Sequence, residues 1–356
     1  MGGASKLILD SVPIYQKKGI KTDVLVLKKV STPNRQRQFE KKTSDEVFYL
    51  TKRSLYNPFL IFKIIPYLKK YDIIHAHLFP TWYWIVFAKM ISFSSVPVVY
   101  TEHSTINKRR SHLLLSRIDR FLYPKLAFIG CISEGTYAKL TNFLTWNRNV
   151  KVISNGIDLK QFDPNREIDV FFEFFSETDI VLIQASSFKK EKDHKTIVNA
   201  MMKLPSNVKL LLVGEGKLRE EVENQVKALN LTDRVKFLGA RHDVPDLYQY
   251  ADIILLSSHY EGFGLSAAEG MASRKPVIVS NVSGLSEVVK DYGLLFEKGN
   301  SEDLAQKILS ITTDKELYNK IADSCFRGSQ NYSIEKMVQE YISVYQKVLH
   351  NKSMTR

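Results

Sequence analysis

The sequence contains few cysteines, and this scarcity excludes two classes of small, cross-linked protein. Its 356 residues include two cysteines, Cys131 and Cys325, which lie far apart and in no metal-type spacing. A disulfide framework needs several cysteines and a zinc module needs closely spaced ones, so we expect neither. No Asp-x-Asp pair or metal-type histidine cluster occurs, and we expect no metal site. This cysteine usage fits a reduced, cytoplasmic compartment.

Long apolar runs are missing as well. The most apolar window, residues 79–93, is 15 residues long and contains Lys89. A membrane-spanning helix needs roughly 20 apolar residues, so the sequence predicts none. Residues 1–20 lack the apolar core of a signal peptide, and we expect none.

Acidic residues are scarce in the first half of the chain. Residues 1–165 hold 26 Lys and Arg against 11 Asp and Glu, whereas residues 166–356 hold 25 against 27. The net charge of +13 therefore comes from the first half. Such asymmetry indicates an anionic partner, namely nucleic acid, an anionic membrane surface or a phosphorylated acceptor.

The chain does contain a regular alternation of apolar strands and amphipathic helices. Together with the length, this alternation predicts an α/β protein with two Rossmann-like domains that face each other across a cleft. We expect the first domain at 1–160, a linker at 161–178 and the second domain at 179–334. A final helix at about 335–356 is expected to pack back on the first domain.

One stretch, residues 251–279, has the composition of an anion-binding site. An apolar strand is followed by a loop with Glu261 and Gly264, and then by a helix of small residues that carries Glu269. The first N–H groups of a helix have no helical partner, so such a terminus suits an anion, most often phosphate. The stretch therefore predicts a phosphate site flanked by two carboxylates.

The residues from Ser258 to Glu269 read S-x-x-E-G-F-G-L-x-x-x-E. This pattern resembles the retaining, GT-B-fold glycosyltransferases of family 4 (glycosyl transferases group 1). The resemblance implies that Glu261 contacts hydroxyls of the transferred sugar and that Glu269 binds the ribose of the nucleotide. It also implies that backbone N–H groups beside the glycine hold the diphosphate, namely those of Phe263, Gly264 and Leu265.

The resemblance extends over nearly the whole chain. It includes the sequence N-G-I-D at 155–158 and G-E-G at 214–216. The second of these lacks the third glycine of a dinucleotide fingerprint, so we do not expect NAD binding. We interpret residues 214–216 as a strand-to-helix turn.

Cations are expected where a nucleoside diphosphate leaves, because its developing negative charge must be stabilised. The family places an arginine and a lysine on the diphosphate. Lys192 occupies the lysine position, whereas Ser187 stands at the arginine position and a variant of the pattern puts Lys189 there instead. The alternative, that Lys189 and Lys190 are only solvated, stays open.

The resemblance also assigns residues of the first domain. It implies that His103 reaches the donor sugar or the cleft, and we predict it as catalytic together with Glu261 and Lys192. A structural role is the alternative for such a lone histidine. His77 and Ser133 are assigned to the acceptor side. Residues Gly2 and Gly3 match a glycine loop whose N–H groups approach the diphosphate or the acceptor.

A central strand precedes this glycine loop in the family, and only Met1 precedes it here. We therefore expect the first strand of the domain to be missing, which leaves unpaired backbone groups and a gap in the core. A form with roughly ten to twenty more residues ahead of Gly2 is expected to melt at a higher temperature.

The sequence thus predicts a retaining, hexosyltransferase-type enzyme that works without a metal ion. It would move a sugar from a nucleotide-sugar, UDP-linked, to a hydroxyl of a glycan or lipid-linked acceptor in cell-surface polysaccharide synthesis. The nucleotide-sugar is a substrate, and we expect no cofactor. The alternatives are a non-catalytic or N-terminally truncated, inactive GT-B protein and a GT-B sugar-nucleotide epimerase. We expect no nucleic-acid partner, because no recognised binding module is present.

The basic first half fits a peripheral position on the inner face of the cell membrane. The basic candidates for this contact are Arg35, Arg37, Lys41, Lys42, Arg109 and Arg110. Trp82, Tyr83 and Trp84 are candidate interfacial anchors. A packed helix face is the alternative for these three aromatics.

Overall fold

The computed structural model describes residues 3–29, 47–105, 107–167 and 173–354. The chain divides into two compact units, Met1–Gly156 with Ile334–Arg356, and Ile157–Ser333. It passes from the first unit to the second between Gly156 and Ile157 and returns between Ser333 and Ile334. Residues 168–172 of the predicted linker lie outside the described part.

The first unit consists of alternating helices and short strands. Its helices are α1 (Gly3–Lys17), α2 (Leu60–Lys70), α3 (Thr81–Ile91), α4 (Leu113–Leu122), α5 (Glu134–Leu144) and the last described helix (Ile334–Met354). Its strands are β1 (Val24–Lys28), β2 (Val47–Thr51), β3 (Ile74–His77), β4 (Val98–Glu102), β5 (Phe128–Cys131) and β6 (Val150–Val152).

These strands form two parallel sheets, β3-β4-β5-β6 and β1-β2. A Rossmann-like domain has one continuous parallel sheet, so this prediction holds for β3 to β6, whereas β1 and β2 form a separate sheet. Within the described ranges, β1 pairs only with β2 and β3 only with β4. A cavity of about 330 Å³ lies in this unit, and residues of β1 and β3 both line it.

Two apolar clusters cover opposite faces of the four-stranded sheet. Val98 and Tyr100 of β4 pack with side chains of α2 and α3. The intervening Val99 packs with Leu7 of α1 and with Tyr341 of the last described helix. Because successive strand residues point to opposite faces, α1 and α2 lie on opposite sides of this sheet.

The aromatic residues of α3 pack inside the first unit. Trp82 is fully buried, with its ring centroid 5.1 Å from that of Tyr100 and 4.7 Å from that of Tyr123. Tyr83 is buried, and the indole N–H of Trp84 donates to the Leu55 carbonyl oxygen at 2.9 Å. The prediction of interfacial anchors at these three positions is wrong, since a packed helix face accounts for them.

The second unit is a parallel sheet with helices between its strands. Its strands are β7 (Ile180–Ala185), β8 (Val208–Val213), β9 (Val235–Gly239), β10 (Ile253–Leu256), β11 (Val277–Ser280) and β12 (Leu294–Phe296). Its helices are α6 (His194–Met201), α7 (Arg219–Ala228), α8 (Val244–Tyr250), α9 (Leu265–Ala272), α10 (Leu285–Val289), α11 (Ser301–Thr312) and α12 (Lys315–Ser329).

This sheet is continuous, in the order β12-β11-β10-β7-β8-β9. All its pairs are parallel. Its central strands β7 and β10 are mainly apolar, as expected for strands covered on both faces, and β7 includes one buried polar residue, Gln184. The strand order reverses between β7 and β10, which are hydrogen-bonded neighbours. The predicted α/β class with parallel sheets is confirmed in both units.

Candidate functional site at the edge of the second sheet

The reversal between β7 and β10 marks the place where a ligand is expected. In open α/β sheets, ligands bind outside the carboxyl ends of the strands, where the strand order reverses. The loop after β7 carries Lys192, and the loop after β10 carries Glu261. Two of the residues predicted from sequence therefore lie on either side of this crevice.

Backbone contacts hold these two loops together. Lys192 and Ser258 form an antiparallel bridge. The His259 N–H donates to the Glu191 carbonyl oxygen at 2.9 Å, and the Asp193 N–H donates to the Ser257 carbonyl oxygen at 3.1 Å. These backbone hydrogen bonds fix the positions from which the Lys192 and Glu261 side chains project.

Lys192 and Glu261 form an ion pair, and both side chains are about one-fifth exposed. Such partial exposure leaves their charged ends accessible to a ligand from solvent. A second oxygen of Glu261 accepts from the Gly262 N–H at 3.2 Å. The crevice thus holds one cation and one carboxylate in contact.

Helix α9 begins at this crevice without a side-chain cap. Its N-cap residue, Gly264, has φ +87°, a conformation that favours glycine. Within the described part of the chain, no group accepts a hydrogen bond from the N–H of Phe263, Gly264, Leu265 or Ser266. Four free donors and the positive end of the helix dipole make this terminus suitable for an anion.

The side chain of Phe263 points away from this terminus. It is buried, with its ring 5.3 Å from that of Tyr332 in an edge-to-face arrangement. Only the backbone of Phe263 is therefore available to a ligand, as the sequence prediction requires.

Glu269 lies on α9 and is 8% exposed. Burial raises the pKa of the nearby Tyr248 hydroxyl, and the negative charge of Glu269 raises it further. One position along, a Cβ on Gly270 would lie 2.7 Å from Cγ2 of Ile254. Glycine therefore lets α9 approach β10 closely enough to bring Glu269 to the sheet edge.

Neighbouring loops support the crevice through close backbone contacts. Gly284 has φ +88°, and a Cβ there would lie 2.6 Å from the Glu261 carbonyl oxygen. Glu287 holds this loop by accepting from the Ser283 hydroxyl at 3.1 Å and the Gly284 N–H at 3.3 Å. Residues 214–216 pack on the backbone of 186–188 in the same way, in agreement with their interpretation as a turn.

The second predicted cation, Lys189, is exposed and forms no ion pair with any described residue. Its clamping role remains a prediction. Next to it, Phe188 is buried and stacks on His194, with 4.1 Å between the ring centroids. Burial lowers the pKa of His194 to about 4, so this ring is neutral near pH 7.

Sequence reasoning missed the role of Asp193. It is buried and caps α6 by accepting from the Thr196 N–H at 3.3 Å. An aspartate directly before a helix is a normal N-cap signal, and this signal was available in the sequence. Through this cap, α6 holds the loop that carries Lys192.

The first unit brings His103 and His77 together. His77 ends β3, His103 follows β4, and their ring nitrogens lie 3.1 Å apart. His75 adds a third imidazole, bonded to the Tyr345 hydroxyl at 2.6 Å and to the Thr101 hydroxyl at 2.8 Å. The sequence singled out His77 and His103 but not their contact.

Burial keeps these imidazoles neutral. It lowers the pKa of His103 to about 4 and that of His75 to about 3, and it also lowers the pKa of His77. Such rings can accept or donate a hydrogen bond near pH 7 but carry no positive charge.

Two further predicted residues of the first unit, Ser133 and Gly3, lie at the N-termini of helices. Ser133 is buried and caps α5, since its hydroxyl accepts from the Thr136 N–H at 3.2 Å. Gly3 is the first residue of α1. Gly2 lies outside the described residues, as do the basic candidates Arg35, Arg37, Lys41 and Lys42.

Arg109 and Arg110 do not form a free basic surface. Arg110 pairs with Glu102 at 2.7 Å, and Arg109 pairs with Asp119 at 3.7 Å. Both carboxylates are buried and both guanidinium groups are largely so. The prediction that Arg109 and Arg110 contact a membrane is therefore wrong, because the fold uses these charges internally.

No helix in the described part of the chain is long and apolar enough to cross a membrane. No group of three or more His, Cys, Asp or Glu side chains in those ranges is arranged to hold a metal ion.

Comparison with known families assigns both halves of the chain. Residues 1–161 match the model described as Glycosyltransferase Family 4, and residues 165–325 match Glycosyl transferases group 1. The chain belongs to this glycosyltransferase family, and it is an enzyme of that class.

Two curated relatives are similar over most of their length. The chain is 30% identical to N-acetyl-alpha-D-glucosaminyl L-malate synthase of Bacillus anthracis, over 79% of this chain and 76% of the relative. It is 26% identical to UDP-Gal:alpha-D-GlcNAc-diphosphoundecaprenol alpha-1,3-galactosyltransferase of Escherichia coli, over 80% and 77% respectively.

Among solved structures, Anabaena Alr3699/HepE in complex with UDP and glucose superposes with a TM-score of 0.82. The match covers 97% of this chain and 96% of that one at 22% identity. This likeness confirms the GT-B fold class predicted from the sequence.

Proposed function

We propose that the chain is a retaining glycosyltransferase that uses a UDP-sugar and transfers the sugar to a hydroxyl of a glycan or lipid-linked acceptor. The acceptor would belong to the synthesis of a cell-surface polysaccharide. The observation that carries this proposal is the Lys192–Glu261 pair beside the uncapped N-terminus of α9, at the strand-order reversal.

Each donor group has a place in this arrangement. The free N–H groups at the start of α9 take the diphosphate, and Glu269 takes the ribose hydroxyls. Lys192 stabilises the negative charge that develops as the nucleoside diphosphate leaves, and Lys189 adds a second cation from the exposed loop. Glu261 orients the Lys192 ammonium group before the donor binds and accepts hydrogen bonds from the sugar.

The reaction proposed here needs no side-chain nucleophile. The acceptor hydroxyl attacks from the side of the leaving diphosphate, and a donor phosphate oxygen takes its proton. His103 and His77 are assigned to sugar or acceptor contacts, since neutral imidazoles bind hydroxyls without competing for phosphate. Ser133 is assigned to the acceptor side, and the N–H groups of Gly2 and Gly3 are assigned to the diphosphate or the acceptor.

The relatives support the choice of substrates. The Escherichia coli relative is named for a UDP-galactose donor and an undecaprenyl diphosphate-linked acceptor. The Anabaena structure of the same fold contains UDP and glucose. A UDP-sugar and a lipid-linked acceptor are therefore the first substrates to test.

We further propose that the protein works in the cytoplasm, attached to the inner face of the membrane through α4. On this helix Leu113, Leu114 and Phe121 are 69%, 60% and 54% exposed. Arg117 and Arg120 are exposed among them. The acidic residue of α4, Asp119, is buried, so the outer face of the helix is apolar and cationic. Such a face suits an anionic lipid surface.

The function is tested with a panel of UDP- and GDP-sugars. We expect a UDP-sugar to raise the melting temperature more than any GDP-sugar. With the best donor and a lipid-linked acceptor, Glu261→Ala should abolish transfer while UDP binding stays nearly unchanged. The exposed Glu316→Ala is the matched control and should transfer normally.

Other outcomes would point elsewhere. UDP binding without transfer to any acceptor would favour a non-catalytic GT-B protein. Interconversion of the donor sugar without an acceptor would favour an epimerase. Inversion at the anomeric carbon of the product, seen by proton NMR, would contradict the retaining mechanism.

A further inference from the structure

Five large apolar side chains of the first unit are exposed near the carboxyl end of β3. Leu78 and Phe79 follow this strand and are 39% and 37% exposed. Tyr56 and Phe59 precede α2, and Phe62 lies in its first turn. These three rings are 62%, 69% and 58% exposed. Exposed apolar side chains that lie together mark an interaction site, whereas scattered ones are normal.

Ring contacts join these side chains into one strip. The ring centroids of Tyr56 and Phe79 lie 6.1 Å apart, and those of Phe59 and Phe62 lie 6.5 Å apart. Only two residues separate Tyr56 from Phe59 in the chain. The apolar strip therefore consists of Leu78, Phe79, Tyr56, Phe59 and Phe62.

The fold holds one end of the strip in position while leaving it exposed. The Arg109 guanidinium lies 4.0 Å from the centre of the Phe79 ring. The Tyr83 ring meets Phe79 edge-to-face, with 5.1 Å between the centroids. Leu78 has φ +64°, a left-handed conformation that is strained for leucine. Such strained residues cluster at ligand sites, so this end of the strip has the features of a binding surface.

The strip begins beside the imidazoles of the first unit. His77 directly precedes Leu78, and a nitrogen of its ring lies 3.1 Å from a ring nitrogen of His103. The proposed function assigns these two rings to contacts with the sugar or the acceptor. An acceptor whose hydroxyl group lies at the imidazoles therefore has the apolar strip beside it.

The charge around the strip favours an acceptor with an anionic head. Residues 47–71, which contain three of the five apolar side chains, include five Lys and Arg but no Asp or Glu. Lys52 and Arg53 are exposed and form no ion pair with any described residue. These two cations are available to phosphate oxygens, while the strip is available to an apolar chain.

We propose that the apolar strip binds the hydrocarbon chain of a lipid-linked acceptor and that Lys52 and Arg53 bind its diphosphate. This inference rests on the proposed function and narrows its acceptor to long-chain diphosphate esters. The occupant is a single chain rather than a bilayer, because the strip begins at the imidazoles that are assigned to the acceptor.

Binding is tested by calorimetry with geranylgeranyl diphosphate and isopentenyl diphosphate, which share the head group but differ in chain length. Excess UDP is present, so that neither probe occupies the donor site. We expect the long-chain probe to bind at least about tenfold more tightly, since burial of one aromatic side chain alone corresponds to roughly that factor. Phe59→Ser with Phe62→Ser should remove most of this preference.

The matched control is Ile91→Ser with Phe93→Ser. These two side chains are also exposed and apolar, but they lie at the opposite end of α3 from Phe79. Their replacement should leave the chain-length preference unchanged. Lys52→Gln with Arg53→Gln should weaken both probes by the same factor, because both carry the same diphosphate.

Transfer kinetics provide a second readout. With a long-chain acceptor, Phe59→Ser with Phe62→Ser should raise KM at least about tenfold and leave kcat unchanged, because the strip contributes binding and no chemistry. With a short-chain acceptor of the same head group, KM should not change. A fall in kcat with both acceptors would indicate structural damage and contradict a chain-binding role.

Two further outcomes would overturn the inference. One is equal binding of both probes by the parent protein. The other is an equal loss of binding to phosphatidylglycerol vesicles without acceptor in Phe59→Ser with Phe62→Ser, which would show a general membrane contact. Chain-dependent binding without any transfer would support the strip and contradict the proposed function alone, so the two failures are distinguishable.

Discussion

Both units are alternations of apolar strands and helices. They differ in whether the strands form one continuous sheet. In the second unit, the strand order reverses between β7 and β10, and these strands are hydrogen-bonded to each other. In the first unit, β1 and β3 line a cavity instead. The Lys192–Glu261 pair lies in the second unit, where the sheet is continuous. A continuous sheet fixes the loops at its edge, and precise placement of charged groups needs such fixed loops.

The two units also differ in the charge of the side chains that lie beyond their strands. Beyond the strands of the second unit lie an ion pair and an uncapped helix, which suit a charged ligand. Beyond β3 and β4 of the first unit lie imidazoles that burial keeps neutral. This difference in charge is the reason why the proposed function assigns the ionic leaving group to the second unit and uncharged hydroxyls to the first.

Removal of the cation should have the largest effect. Lys192→Met deletes the charge that the proposed function places beside the departing diphosphate, and loss of one such group costs about 10²–10³-fold in kcat. The measurement is the steady-state transfer rate with saturating donor. The control is Lys195→Met, an exposed lysine that pairs with Glu221. A normal kcat for Lys192→Met would show that this cation does not stabilise the leaving diphosphate.

Membrane contact should depend on α4 of the first unit. Each cation near an anionic lipid surface contributes about 1 kcal/mol, so Arg117→Gln with Arg120→Gln should weaken vesicle binding roughly thirtyfold. Sedimentation with phosphatidylglycerol vesicles at low salt measures this binding. Lys315→Gln with Lys320→Gln changes two exposed lysines of the second unit and should bind as the parent does. Equal binding of all three proteins would disprove the assignment to α4.

The close approach of α9 to β10 should make alanine destabilising at Gly270, although alanine normally stabilises a helix relative to glycine. Alanine normally stabilises a helix by about 0.5–1 kcal/mol relative to glycine. At Gly270, however, the new Cβ would lie 2.7 Å from Ile254, and overpacking costs about 1–3 kcal/mol. Gly270→Ala should therefore lower the free energy of unfolding in urea. In an Ile254→Ala background the same change should cost less, and an unchanged cost would show that Ile254 is not the cause.

The neutral imidazoles of the first unit should make stability fall gradually in mild acid. The pKa of His103 is about 4 in the folded protein and about 6.5 in the unfolded chain, so the unfolded chain binds the proton more readily. Stability is therefore complete above about pH 6.5 and decreases as pH falls toward 4. Urea midpoints at several pH values measure this slope.

Substitution identifies the residues responsible for that slope. His103→Gln and His75→Gln should each flatten it, because glutamine does not titrate. The exposed His350→Gln should not change it. A slope that persists in both buried variants would assign the acid sensitivity to other groups.

The local structure of the proposed donor site was largely predictable from the sequence. The stretch 251–279 gave a strand, a glycine loop and a helix within a residue or two of β10 and α9, because small residues, glycines and a pure apolar run are local signals. The tight packing at Gly270 follows from the same local composition.

The contacts missed from the sequence are long-range. Arg109 and Arg110 look like a basic surface, and only the fold brings Asp119 and Glu102 to them. His75 bonds to Tyr345, which is 270 positions away in the chain. Strand pairing is equally non-local, so the separation of β1 from β3 could not be located from the pattern of either strand.

The last described helix, Ile334–Met354, makes the second unit an insertion within the first. The ends of this insertion lie together, since the Ile157 N–H donates to the Tyr332 carbonyl oxygen at 2.7 Å. During synthesis, every residue of the second unit leaves the ribosome before Tyr341 and Tyr345 can pack on the first unit. The unit that is begun first is therefore completed last, after the inserted unit has had time to fold.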